Sequence, residues 1–345
     1  MPVDLSRSAE FSASIVEWVR GKGRILIVAH DNPDPDSLAA AFALKQLIWV
    51  KTNMEATIAF GGIIGRGENR AMVRELEINT LPLDKVDLDD FAVVCMVDTQ
   101  PGTGNNSFPE DREVHIIIDH HPQRPATSRC RWVDIREDYG ASATILYEYL
   151  QCQDVYMGTK LATILYYAIK TETQDLGREW HQADREAYLK LFPLSNNRIL
   201  YTITHPRVAR EYFFVFNRAL ENARVYEKIL VFNLYGIDNP DIVAEMADFL
   251  LRMEGVEIVL GMGCFNEREI LSLRTSRLDL VAGDIIRKVV ADLGTAGGHA
   301  MTAGAQIAPM QGNSAVQKEL EATLTKRLLD ALQLPTLRGR RLLPA

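Results

Sequence analysis

The sequence predicts an α/β protein, in which a mostly parallel sheet forms the first domain and a second, smaller α/β domain follows, with a cleft between them. Three observations carry this reading. At 345 residues the chain exceeds one typical core of roughly 150 residues and suits two. Its first half alternates short apolar runs with helical patterns, the order expected of parallel strands joined by crossover helices. A second alternating block begins at residue 228, after a long stretch without a strand signal.

RILIVAH (24–30) is the first strand, since its apolar residues run on without alternation, as in a strand buried on both faces. A helix from about Ser37 to Lys51 follows, and then the strands ATIAF (56–60), FAVVCMVD (91–98) and VHIIIDHH (114–121). Helices over about 140–151 and 157–171 open after Gly140 and Gly158. Residues 180–228 are helical and amphipathic, interrupted by Pro193 and Pro206. The second block runs KILVFNL (228–234), a helix near 240–253, VEIVLGMGCF (256–265), EILSLRTS (269–276), a helix near 279–293, a strand near 303–308 and a helix near 314–333. The basic tail TLRGRRLLPA reads as a solvated end. The expected division is 1–180, a helical connection over 181–227, and 228–345.

Composition narrows the function classes. Hydrophobic residues at 47% and charged residues at 24% are ordinary for a globular protein. A formal net charge of −8 argues against tracking along duplex nucleic acid, which needs an extended basic surface. It leaves room for a short anionic substrate held by metal and a few arginines. Cys95, Cys130, Cys152 and Cys264 are scattered, without a C-x-x-C pair, which points to a reduced, cytoplasmic setting. The opening MPVDLSRSAEFSASIVEW has no signal-peptide pattern, and no apolar run reaches the roughly 18 residues of a membrane span.

Three of the apolar strands end in ionisable groups. The first runs into HDNPDPDS, where His30, Asp34 and Asp36 are spaced H-x3-D-x-D and Pro33 and Pro35 stiffen the loop. The next core strand ends in Asp98, and the one after it in Asp119-His120-His121. Glu172 and Asp175 follow an apolar helix. Imidazole with carboxylate suits a divalent ion such as Mn²⁺ better than a thiolate-bound zinc. Five or six such ligands exceed the need of one ion, and the arrangement that uses them is a pair of metals bridged by a carboxylate. GGIIGRGENRA (61–71) reads either as a phosphate- or base-contacting loop or as a plain loop and helix start. His115 reads as a packed strand residue, and Ser142 either as a helix cap or as a neighbour of the metal site.

HDNPDPDS, VDTQ and IIDHHPQ resemble successive motifs of the DHH phosphoesterase superfamily, named for Asp-His-His as it stands at 119–121. Downstream, SLRTS (272–276) and GGHAMTAGA (297–305) resemble the DHH-associated C-terminal domain. Order and spacing match over roughly residues 20–310, and the type resembled is the oligoribonuclease and 3′-phosphoadenosine 5′-phosphate phosphatase. The resemblance implies a metal-binding catalytic domain before residue 180 and a substrate-binding domain after 228. It implies one metal held by His30, Asp34 and Asp98, and another by Asp36, Asp98, His120 and an acidic residue near the end of the following helix. Asp98 would bridge them, Asp119 would orient the His120 ring, and His121 would face the phosphate. Arg274, Gly297, Gly298 and His299 would grip the substrate. The family commonly has Thr-Asp-Thr-Gly where this chain reads IKTETQDLGR (169–178). The register from Ile169 selects Glu172, the register from Gly177 selects Asp175, and the shorter side chain ranks Asp175 first.

The resemblance thus implies an enzyme with two divalent ions, most readily Mn²⁺, that hydrolyses short RNA oligonucleotides or small phosphorylated nucleotides. Neither a membrane nor long duplex DNA is expected as a partner, and a homodimer is a candidate assembly. Hydrolysis of cyclic or linear dinucleotides stands as an alternative. So does a nucleotide sensor without turnover, although such a sensor would be expected to lose ligands.

Overall fold

The computed structural model describes residues 3–177, 179–298, 301–307, 314–335 and 338–343. The chain divides between Pro206 and Arg207 into two compact units. In the first, the order is α1 (Ser6–Val19), β1 (Ile25–Val28), α2 (Pro35–Thr52), β2 (Ala56–Phe60), α3 (Gly67–Glu75), β3 (Leu81–Pro82), β4 (Val93–Val97), β5 (Ile116–Asp119), β6 (Trp132–Ile135), α4 (Ser142–Cys152), α5 (Thr159–Glu172), α6 (Gln182–Leu191) and α7 (Asn197–Thr204). The six strands pair in parallel in the order β3-β2-β1-β4-β5-β6. Every residue of β1, β4 and β5 is buried, as their unbroken apolar runs require. Ile25, Ile27, Cys95, Ile116 and Ile118 face a core shared with the helices. Leu26, Val28, Met96 and Ile117 face a second layer built from Leu83, Phe108 and Val114.

Two elements, α1 and β6, carry no clear sequence pattern because each buries polar groups. Ser8 of α1, Asp134 of β6 and Glu148 of α4 are buried around Arg136. The guanidinium meets Asp134 at 2.7 Å and Glu148 at 2.7 Å, and also donates to the Ser8 hydroxyl at 2.8 Å. Removing the cation leaves the buried Glu148 without a positive partner and Asp134 with only the half-exposed Arg7. Arg136→Ala is therefore expected to destabilise the fold by about 3–5 kcal/mol, measured as a shift of the urea unfolding midpoint at unchanged slope. A loss below about 1 kcal/mol would show that water reaches the cluster.

The second unit contains α8 (Arg210–Asn222), β7 (Arg224–Tyr226), β8 (Ile229–Gly236), α9 (Asp241–Leu250), β9 (Ile258–Phe265), β10 (Arg268–Thr275), α10 (Ala282–Val289), β11 (Gly294–Gly298), β12 (Thr302–Ile307), α11 (Ser314–Ala331) and β13 (Arg340–Arg341). Its seven-stranded sheet is ordered β11-β12-β10-β9-β8-β7-β13. β8 and β9 run parallel and the remaining pairs are antiparallel. The helical stretch expected to connect the domains is shared between them. α6 and α7 fall in the first unit and α8 in the second, where Tyr212, Val215, Phe216 and Ala219 pack against Phe232 and Val243. The helix expected to run to about residue 293 stops at Val289, because residues 294–298 pair with β12 instead. Among the described residues, no helix is long and apolar enough to cross a membrane.

Candidate metal centre

The strand order places β1 and β4 side by side, with β2 and β3 continuing one way and β5 and β6 the other. At such a reversal the loops leaving the carboxyl ends diverge and open a crevice for a ligand. His30 leaves β1 there, Asp98 leaves β4, and Asp119, His120 and His121 end the neighbouring β5. Asp34 caps α2, its carboxylate accepting from the Ser37 N–H at 2.9 Å, with Pro35 in the first turn. Asp98 adopts φ +57°, a left-handed conformation uncommon outside glycine, which turns the chain sharply at the strand end.

The convergence has a definite form. His30 Nε2 lies 3.5 Å from Asp34 Oδ1 and 3.6 Å from Asp98 Oδ2. His120 Nε2 lies 3.5 Å from Asp98 Oδ1 and 3.9 Å from Asp36 Oδ2. One oxygen of Asp98 thus faces each histidine. Two groups, His30–Asp34–Asp98 and Asp98–His120–His121, each bring their ligand atoms within 4.8 Å of one another. His30 Nδ1 is 2.9 Å from the Asp31 carbonyl and His120 Nδ1 is 3.0 Å from the Tyr139 carbonyl. A carbonyl only accepts, so both rings carry hydrogen on Nδ1 and in their neutral form offer the Nε2 lone pair. His120 Nε2 is buried without a hydrogen-bond partner. An imidazole lone pair aimed among carboxylates, with no donor to meet it, fits a metal ion.

The charges support the same conclusion. Burial pushes the Asp36 carboxyl up and His120 pulls it back, while Glu172 and Asp34 add to the rise, which ends at about 8. Burial, Asp36 and Asp34 hold the Asp98 carboxyl well above the usual range. Burial acts to lower the His30 pKa, but the charge and contact of Asp34 outweigh it and raise the imidazole to about 9. Without cations, protons hold this cluster together. His30 and Asp36 both bind protons more tightly in the folded chain, so the stability they contribute is complete below their unfolded pKa values and is lost as pH rises through about 8 to 9. A metal must displace the same protons. The metal-free protein is expected to melt at progressively lower temperature between pH 6.5 and 9, whereas divalent-metal affinity rises over that range, as followed by calorimetry with and without chelator. A flat metal affinity would show that these groups do not compete with the ion.

The remaining expected site residues are placed as follows. Asp119 was expected to orient His120, but its carboxylate takes the Nδ1 of His121 at 2.8 Å, because His120 already donates to Tyr139. Gln100, buried in the VDTQ motif, donates to Asp119 at 2.7 Å and accepts from the Arg124 N–H and the Thr127 hydroxyl at 2.8 Å each. Asp175, ranked first for its shorter side chain, turns away. Its carboxylate meets Lys170 and accepts from the Tyr188 hydroxyl at 3.0 Å, and its side chain is 57% exposed. The Glu172 carboxylate, by contrast, acts electrostatically on His30, Asp36, Asp98 and His120. Glu172 is the last residue of α5, and of the two carboxylates it is the one whose charge reaches the cluster.

Of the segment 139–144, which contacts the centre, sequence reasoning marked only Ser142. Ser142 N–H and Ala143 N–H donate to Asp36 at 2.7 and 2.8 Å, and the Ser142 hydroxyl donates to Asp98 at 3.0 Å. Asp184, fully buried in α6, accepts from the Gly140 N–H at 2.8 Å and from the Thr144 hydroxyl. A Cβ on Gly140 would stand 2.7 Å from the Glu179 carbonyl, so only glycine fits this packing. DYGASAT hinted at the Ser142 role, while nothing local marked Asp184.

In the second unit, Arg274 is largely buried on β10 and pairs with Asp248 of α9. The register sets Arg274 opposite Thr302, and Gly297 and Gly298 opposite Gly304 and Ala303. The arginine and the glycine pair therefore flank β12 at one end of the sheet. His299 lies outside the described residues. A Cβ on Gly298 would stand 2.4 Å from Ala303, whereas Gly297 has open space beside it.

Two family models match the chain, the N-terminal domain of the DHH family over residues 24–169 and the DHHA1 domain over residues 227–326. An uncharacterized protein of Methanocaldococcus jannaschii is 34% identical over 317 residues, covering 90% of this chain. The match spans 64% of that relative's own length. Among solved structures, an exopolyphosphatase-related protein from Bacteroides fragilis is similar in fold, with a TM-score of 0.72 at 15% identity over 94% of this chain and 98% of that one. RecJ from Thermus thermophilus in complex with Mn²⁺ matches with a TM-score of 0.54 at 14% identity over 96% of this chain and 56% of that one. With both domain models in sequence order and the strand-end ligands converging as described, the chain belongs to the DHH superfamily, a DHH domain followed by a DHHA1 domain.

Proposed function

We propose that this protein is a metal-dependent phosphoesterase that hydrolyses short oligoribonucleotides or small phosphorylated nucleotides such as 3′-phosphoadenosine 5′-phosphate. The observation that carries the reading is Asp98, whose two oxygens each face a different histidine. His30, Asp34 and Asp98 would hold one divalent ion, and Asp36, Asp98, His120 and Glu172 a second. Ions bound there would neutralise charge on the phosphoryl oxygens and make a nearby water more acidic. The imidazole–carboxylate donor set suits manganese, an ion that RecJ binds.

The chain's own groups supply orientation and proton handling. Asp119 fixes His121 through Nδ1, so the ring keeps one direction and can hold or pass a proton at the phosphoryl group. Ser142 and Ala143 keep Asp36 ionisable by donating to both of its oxygens. Arg274 with Gly297 and Gly298 would grip the substrate's phosphate through a guanidinium fork and closely approached backbone. The net charge of −8 favours short substrates over polymers, and the four free cysteines suit a reducing, cytoplasmic setting.

The test is a substrate panel with purified protein and Mn²⁺: di- to pentaribonucleotides, 3′-phosphoadenosine 5′-phosphate, cyclic and linear dinucleotides, and inorganic pyrophosphate, compared by kcat/KM. Preference for the first two supports the proposal. Turnover of cyclic dinucleotides above all others replaces the substrate but keeps the reaction class, and failure to hydrolyse any phosphoester overturns it.

A further inference from the structure

Beside the metal centre lies a pocket of about 570 Å³ between the carboxyl ends of β2 and β3 and the segment 107–109. We propose that this pocket receives a nucleobase of the substrate, which makes the site one for nucleotides in preference to inorganic polyphosphate. The inference rests on the phosphoesterase reading and adds to it a determinant of substrate class.

Its position follows from the register. Val28 of β1 lies opposite Ala59 of β2, and beyond the strands the Asn32 N–H donates to the Gly61 carbonyl at 3.0 Å, so the loop that carries His30 runs against this wall. The Asp31 carboxylate joins the two sides of the pocket. It accepts from the Gly61 N–H at 3.1 Å and from the Ser107 N–H at 3.0 Å, and it also takes the Ser107 hydroxyl. Gly61 and Ser107 are both pocket residues. A Cβ on Gly61 would fall 2.2 Å from Asp31 Oδ1, so glycine is what lets this wall close. The metal-ligand loop and the pocket are therefore held together by the Asp31 carboxylate next to His30 and by Asn32, which accepts from the Ile63 N–H at 2.9 Å.

The lining decides the occupant. Phe60, Leu83, Val86, Leu88 and Pro109 give it apolar walls. Its two charged residues, Asp84 and Lys85, are of opposite sign, exposed, and 3.9 Å apart, so they offer no net attraction to an anion. A polyphosphate chain extending from the metals would lose hydration here without gaining a cation. A flat, uncharged ring with polar edges loses little and gains apolar contact. The volume falls within the range of roughly 300–1,000 Å³ common for small-ligand sites.

Val86→Trp and Leu88→Trp, on separate turns, would each fill the pocket without touching any group placed in the metal centre. For a diadenylate substrate, KM is expected to rise about tenfold or more, the scale of one lost base contact. Turnover of tripolyphosphate, if wild type shows any, and Mn²⁺ affinity are expected to stay unchanged in both variants. In metal-free wild type, saturation-transfer NMR with AMP should show the base protons in contact, and the signal should vanish in the variants. Unchanged KM with an unchanged AMP signal in variants that fold would overturn the pocket assignment, as would AMP showing no base contact in wild type. The AMP measurement needs no turnover, so it judges the pocket even if no phosphoester is hydrolysed, an outcome that would count against the phosphoesterase reading alone.

Discussion

Asp98→Ala is expected to reduce phosphoester hydrolysis by far more than the roughly 10–100-fold typical of residues that only support metal ligands. The carboxylate is 2% exposed, each of its oxygens faces a different histidine, and the Ser142 hydroxyl holds it in place. Its removal takes one donor from both candidate ion sites at once. The metal-free fold should survive, because burial, together with Asp36, Asp34 and Asp119 around it, holds the Asp98 carboxyl well above the usual range. Deleting an acid from an acidic cluster relieves repulsion. The expected result is a normal circular dichroism spectrum, an undiminished melting temperature in chelator, and loss of the stabilisation that Mn²⁺ gives the wild type. Near-wild-type turnover in excess Mn²⁺ would dispose of the two-ion arrangement.

Glu172→Gln should be the second most damaging change, and Asp175→Asn should be mild. Glu172 acts on four of the clustered groups, so its neutralisation should weaken metal binding by more than about 100-fold, whereas a carboxylate outside the ligand set stays below that. Asp175 is committed to Lys170 and Tyr188, and its loss should affect the turn after α5 more than the centre. Parallel Mn²⁺ titrations and rate measurements decide between them. Equal effects, or a larger one at Asp175, would restore the ordering that the shorter side chain suggests.

The contrast between these two residues shows what kind of information a sequence holds. HDNPDPDS, FAVVCMVD and IIIDHH were legible because each is a local event, an apolar strand ending in ionisable groups, and any parallel sheet delivers such endings to one edge. The α/β class and most element positions were legible for the same reason. IKTETQDLGR was not, because two carboxylates three residues apart fit either register until the fold commits Asp175 to Lys170 and Tyr188. β6 was missed because Asp134 interrupts its apolar pattern, a break that the Arg136 cluster explains only once α1 and α4 are in place.

Residue type and short-range period were enough to mark the candidate ligands and the parallel sheet that gathers them. Tertiary structure alone decided the pairings: Asp119 with His121, His120 with the Tyr139 carbonyl, Ser142 with Asp98, and Asp184 beneath the loop that carries them. Most of these contacts join residues far apart in the chain, and each donor had several acceptors of equal chemistry to choose from. Only the strand order and the helix packing set their distances. A hydrogen bond or a shared ion depends on ångströms that no local pattern encodes.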